Sequence, residues 1–81
     1  MATFHVKTVY ASGRPAKGCR VAVAFYGFSR GVTQTVWTDE NGIATFSGYD
    51  PGDADVIVDG TTRLQHVSVQ NGSVFTVEVK P

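Results

Sequence analysis

Thr38-Asp39-Glu40-Asn41-Gly42-Ile43-Ala44-Thr45-Phe46 is the stretch that decides the fold. Asn41-Gly42 readily supplies positive φ, and the Asp39 carboxylate is placed to close an Asx turn on the backbone N–H groups that follow it. Beyond the glycine, Ala44 and Phe46 fall on one face of a short strand over residues 43–47. The same grammar, period-two alternation broken by turn chemistry every 8 to 12 residues, extends outward in both directions and predicts an all-β chain.

Composition agrees with that reading. Valine occurs 13 times and threonine nine times, against one leucine and one methionine. Both favoured residues are β-branched and suit a pleated, half-buried surface, and no segment carries the 3.6-residue apolar period of a helix. Seven strands are expected, over residues 3–10, 19–26, 32–38, 43–47, 54–59, 63–69 and 73–80. Phe4 and Val6, with Thr8 in the same phase, face inward, as do Cys19, Val21, Val23 and Phe25. Ala54, Val56, Val58, Val67, Val69, Phe75, Val77 and Val79 continue the apolar phase. Residues 11–18 form a loop, residues 27–31 a Gly-bounded turn, and Gln70-Asn71-Gly72 a last hairpin turn. The connections leave no room for crossover helices, so the strands are expected to pair antiparallel and to pack as two sheets. The reading is a single domain over residues 1–81: a seven-stranded antiparallel β-sandwich, transthyretin-like or immunoglobulin-like.

Charge and cysteine content narrow the function. Seven basic and seven acidic residues cancel, which removes the electrostatic footprint of a general nucleic-acid binder. Apolar runs of four to six residues fall far short of the roughly 20 that span a bilayer as a helix. Met1-Ala2-Thr3-Phe4-His5 has neither a basic n-region nor an apolar h-region, so a cytoplasmic chain is expected unless the sequence is a trimmed or excised domain. Cys19 stands alone, excluding an internal disulfide. Its phase with Val21 and Val23 predicts a buried, inert thiol. No cofactor and no metal is expected.

The landmarks Ser12-Gly13-Arg14-Pro15-Ala16-Lys17-Gly18-Cys19-Arg20-Val21 and Thr38-Asp39-Glu40-Asn41-Gly42 before Ile43-Ala44-Thr45-Phe46 occur in a particular order. With Pro51-Gly52 ahead of Val56-Ile57-Val58, the chain resembles the carboxypeptidase regulatory-like and transthyretin-like (prealbumin-like) small β-sandwiches. That resemblance implies a non-catalytic module. Within the wider group, His5-Val6 and Gly13-Arg14-Pro15-Ala16 are similar to hydroxyisourate hydrolase, which would make His5 a catalytic imidazole in a small-ring hydrolase. Where that family closes on Tyr-Arg-Gly-Ser, this sequence reads Thr76-Val77-Glu78-Val79-Lys80-Pro81.

The remaining candidates are aromatic and charged. Tyr26 is out of phase with Phe25, and Phe28 sits in a tight turn beside Arg30. Trp37 shares the Thr33–Thr35 phase, opposite Val32, Gln34 and Val36, so the pattern leaves open which face of that strand is core. With Trp37 outward, Tyr26, Phe28, Arg30 and Trp37 form one candidate partner-binding patch, of types that anchor protein interfaces and also stack on sugars. Asp50, Asp53, Asp55 and Asp59 crowd ten residues, but their spacing matches no EF-hand loop, so surface and turn-capping roles are expected. Residues 1–38 sum to +5 and residues 39–81 to −5, a split that either neutralises within one molecule or drives self-association. The expected function is a non-catalytic structural or interaction module. It would present the Tyr26–Trp37 hairpin, or a sheet edge, to a protein partner or another copy, with a carbohydrate-binding module as the alternative.

Overall fold

Short connections join strands of alternating apolar phase, and the order in which those strands pair sets the topology. The computed structural model describes residues 1–27 and 31–80. Its strands are β1 (Ala2–Tyr10), β2 (Arg20–Phe25), β3 (Val36–Trp37), β4 (Ile43–Tyr49), β5 (Gly52–Val58), β6 (Thr61–Val69) and β7 (Val74–Val79). They form a three-stranded sheet ordered β4-β1-β7 and a four-stranded sheet ordered β3-β2-β5-β6. The two sheets pack as a β-sandwich.

The pairing is mixed, which corrects the antiparallel expectation. β1 pairs antiparallel with β4 but parallel with β7, His5 opposite Val74 and Tyr10 opposite Val79. The reason is positional. β1 and β7 run the same way in their sheet, and the chain passes from one sheet to the other between β1 and β2, β3 and β4, β4 and β5, and β6 and β7. The first and last strands therefore meet as parallel neighbours, with the opposite sheet serving as the crossover. For the same reason Gln70-Asn71-Gly72 is not a hairpin turn: it carries the chain between sheets. There the Asn71 side-chain Oδ1 accepts from the Thr3 N–H at 3.0 Å, and the Gly72 N–H donates to the Thr3 backbone carbonyl at 2.7 Å.

Two strand expectations also change. Regular pairing over residues 32–38 shrinks to Val36–Trp37, because Thr33 turns inward and its hydroxyl accepts from the Val23 N–H at 3.0 Å, while Val32 is exposed. β6 starts earlier than expected, at Thr61, because the turn is made by Asp59-Gly60 alone.

The inward phases hold. Phe4 stacks on Phe46 with centroids 5.1 Å apart, and Phe25 meets Phe4 edge-on at 6.2 Å. Val6, Val21, Val23, Val56, Val58 and Val69 are fully buried around them, each contributing about 1.5–3 kcal/mol of transfer free energy. One end of the sandwich is closed by polar bonding. The Ala16 carbonyl accepts from the Thr8 hydroxyl at 2.8 Å and the Thr38 hydroxyl at 2.7 Å. The Thr38 hydroxyl in turn accepts the Cys19 N–H at 2.9 Å. Asp39 caps the adjoining turn as expected, its Oδ1 accepting from the Asn41 and Ile43 N–H groups. Gly42, at φ 74°, packs directly under the Thr8 carbonyl.

Candidate interaction surface

The outward phase of β2 and β5 builds a surface dense in polar side-chain contacts. Arg20, Ala22 and Ala24 alternate outward along β2, and Tyr26 continues their phase just beyond it. On the neighbouring strand the outward residues are Asp53, Asp55 and Ile57, with Asp59 following at the turn. The small Ala22 and Gly60 among larger neighbours leave a shallow depression of about 180 Å³ bounded by Arg20, Ala22, Thr35, Ile57 and Gly60.

At one end, Asp59 and Gly60 both take positive φ, 51° and 80°, the pattern a two-residue type I′ hairpin demands and Asp-Gly supplies. That turn aims Asp59 back at β2, where its Oδ1 accepts the Arg20 backbone N–H at 3.0 Å and lies 3.6 Å from Arg20 Nε. This pair joins the basic first half of the chain to its acidic second half.

At the other end, the β5–β6 register slips between Ala54 and Val56, so Asp55 has no paired residue on β6. Its side chain takes over that role. The carboxylate accepts the His66 backbone N–H at 2.9 Å and the Tyr26 hydroxyl through the same Oδ1. His66 sits at φ 53°, and its ring meets Tyr26 edge-on at 4.7 Å. With Nε2 protonated, the imidazole donates to Asp53 Oδ2 at 3.0 Å. The hydrogen bond from Tyr26 holds the Asp55 carboxyl below its usual range, helped by the His66 N–H. The same bond holds the Tyr26 phenol above its usual value, because ionisation would lose it and set two negative charges together.

The structure separates the aromatic residues that the sequence pattern grouped. Trp37 is 60% exposed and lies opposite Arg20, whereas Tyr26, 40% exposed, follows the far end of β2. Six residue steps, about 20 Å, separate those two levels. Tyr26 joins Asp53, Asp55 and His66 instead. Phe28 and Arg30 lie outside the described residues. The constellation of Tyr26 with Asp55 and His66 was not legible beforehand, since it depends on a bulge; the aspartate crowding was its only trace.

His5 lies on the outer face of the other sheet, its Nδ1 3.0 Å from the Thr45 hydroxyl, so the two imidazoles occupy opposite faces of the sandwich. Lys7 also faces outward, level with Ile43 and Thr76. Cys19 is buried. Among the described residues no three His, Cys, Asp or Glu side chains gather as metal ligands, and no helix is long and apolar enough to cross a membrane.

No family model matches the sequence, and no curated protein does. Solved structures do match. The fold is similar to that of BcpA, the major pilin subunit of Bacillus cereus, with a TM-score of 0.68 and 16% identity over 98% of this chain and 29% of the pilin. A variant form of the same subunit aligns with a TM-score of 0.70 and 16% identity over 100% of this chain and 30% of the pilin. The chain thus spans about three-tenths of the length of the pilin chains it matches. At that identity the likeness is one of fold.

Proposed function

We propose that this chain is a structural β-sandwich module that acts by protein association, with another copy of itself or with a larger partner, and not by catalysis. The observation that carries this reading is the overlay of its whole length on one portion of a subunit that builds pili. A small sandwich with unpaired strand edges offers backbone groups through which another chain can associate. The resemblance of its turn residues to the carboxypeptidase regulatory-like and transthyretin-like group supports the same assignment, since modules of that kind are typically non-catalytic. In this reading Trp37 and the cluster around Tyr26 are separate contact points on one sheet face.

Sedimentation velocity over a hundredfold concentration range tests the self-association arm, at low salt and at 0.5 M salt, where the Debye length is about 4 Å. A concentration-dependent dimer or larger species is expected. A strict monomer under every condition overturns self-association.

A further inference from the structure

We propose that β7 is the self-association edge, and that a second copy adds its own β7 antiparallel across a two-fold axis at Val77. This rests on the self-associating reading above and names its contact. The two sheets end in four edge strands, β3, β4, β6 and β7. β3 has only two residues, and β4 lies on the same flank and ends through Gly48 at φ 85°. β6 is long but twice out of register with β5, with His66 at φ 53° within it. Bulges of that kind blunt an edge against further pairing. β7 carries none of these protections. It has six residues, no glycine, no proline and no register shift against β1, and among the described residues no strand flanks its outer side.

The pairing with β1 fixes which backbone groups of β7 face the open side. The His5 N–H donates to the Ser73 carbonyl at 2.9 Å, and His5 is level with Val74. In a parallel ladder, residues 73, 75, 77 and 79 then bond to β1, so the backbone groups of Val74, Thr76, Glu78 and Lys80 point to the open side. Val74, whose backbone opens this row, is itself 60% exposed.

The strand is complementary to itself. A two-fold axis at Val77 uses all four outward-pointing residues of each copy, giving about eight interchain bonds. On the inner face it sets Phe75 against the second copy's Val79 and Val77 against its own counterpart, which extends the apolar layer across the junction. On the outer face Thr76 meets Glu78, and the aliphatic stem of Lys80 covers the exposed Val74. No like charges stand directly opposite. β6 edges the other sheet, with Arg63 near its start and Asp53 of β5 level with Ser68 near its end. The product is a continuous six-stranded sheet through both molecules.

Thr76→Pro is the discriminating change. The Thr76 N–H points away from β1, so proline there removes an edge donor and leaves the internal ladder intact. Sedimentation velocity should show the dimer dissociation constant raised by about tenfold or more, with circular dichroism and melting close to wild type. Disulfide trapping gives a second readout that does not depend on that variant folding. In a Cys19→Ala background, Val77→Cys places two thiols at a non-hydrogen-bonded pair with Cα atoms about 4.5 Å apart, within disulfide reach. Thr76→Cys places them on a diagonal, beyond it. A covalent dimer forming readily at 77 and poorly at 76 supports the register. Association that survives Thr76→Pro in a folded protein, or equal trapping at both positions, overturns the β7 assignment while leaving self-association standing. A monomeric wild type overturns both.

Discussion

Replacing either buried threonine hydroxyl at the closed end should cost stability, but by different amounts, because only one change strands a donor. In Thr8→Val, the Ala16 carbonyl keeps its bond from the Thr38 hydroxyl, and the Gly42 carbonyl keeps the residue 8 backbone N–H at 2.7 Å. Nothing is orphaned, so the loss is that of an ordinary hydrogen bond, about 1 kcal/mol. In Thr38→Val, the Ala16 carbonyl still has Thr8, but the buried Cys19 N–H loses its acceptor. An unsatisfied buried donor adds its desolvation penalty, for a total of about 2–3 kcal/mol. The two losses should not simply add. The double variant leaves the Ala16 carbonyl only the Cys19 thiol at 3.7 Å, so a coupling of about 0.5–1 kcal/mol beyond the sum is expected. For a domain of this size each kcal/mol moves the melting midpoint by about 4–8 °C, and urea titration with fitted slopes checks that the transition stays two-state. Thr8→Val costing as much as Thr38→Val would refute the claim that the orphaned Cys19 N–H sets the magnitude.

Other outcomes follow from the same geometry. Gly42→Ala forces a Cβ into the Thr8 carbonyl at φ 74° and should cost more than about 2 kcal/mol, whereas Gly60→Ala, with open space around its Cβ position, should cost about 1 kcal/mol for the left-handed backbone alone; calorimetry of the pair decides. The Asp55 carboxyl is held below its unfolded value, so its support is present above about pH 3.9 and fades as pH falls through the lower folded value. The Tyr26 phenol is held above its unfolded value, so its support is present below about pH 10 and fades as pH rises through the higher folded value. Phenol absorbance titration of wild type minus Tyr26→Phe should show the raised value, and Asp55→Ala should return it toward the ordinary one; no change on removing Asp55 refutes the pairing. Trp37→Ala should leave the melting midpoint within a few degrees, and Trp37 emission in the isolated protein should resemble that of a solvated indole; a blue-shifted emission would contradict its exposure.

The inward phases were legible in the sequence because strand periodicity is a local property. Phe4, Val21, Val23, Phe46, Val56 and Val77 show their burial by alternation alone, and Asp39 and Gly42 announce their turn by residue type. All-β composition with seven apolar stretches and short connections likewise required two packed sheets. What stayed hidden depends on which strands become neighbours. The parallel β1–β7 pair, the use of Gln70-Asn71-Gly72 as a passage between sheets, and the free edge of β7 are consequences of sheet order, which alternation does not encode. Ala16 is fully buried although it sits in a loop of turn residues, because its carbonyl is the acceptor that two distant threonines converge on. The Tyr26–Asp55–His66 cluster exists because a bulge removes the β6 partner of Asp55 and its carboxylate replaces it. Sequence alone determined which side of each strand is apolar, since that follows from period two; only the tertiary structure decided which polar groups meet, since hydrogen bonds between residues 29 or 39 positions apart depend on register.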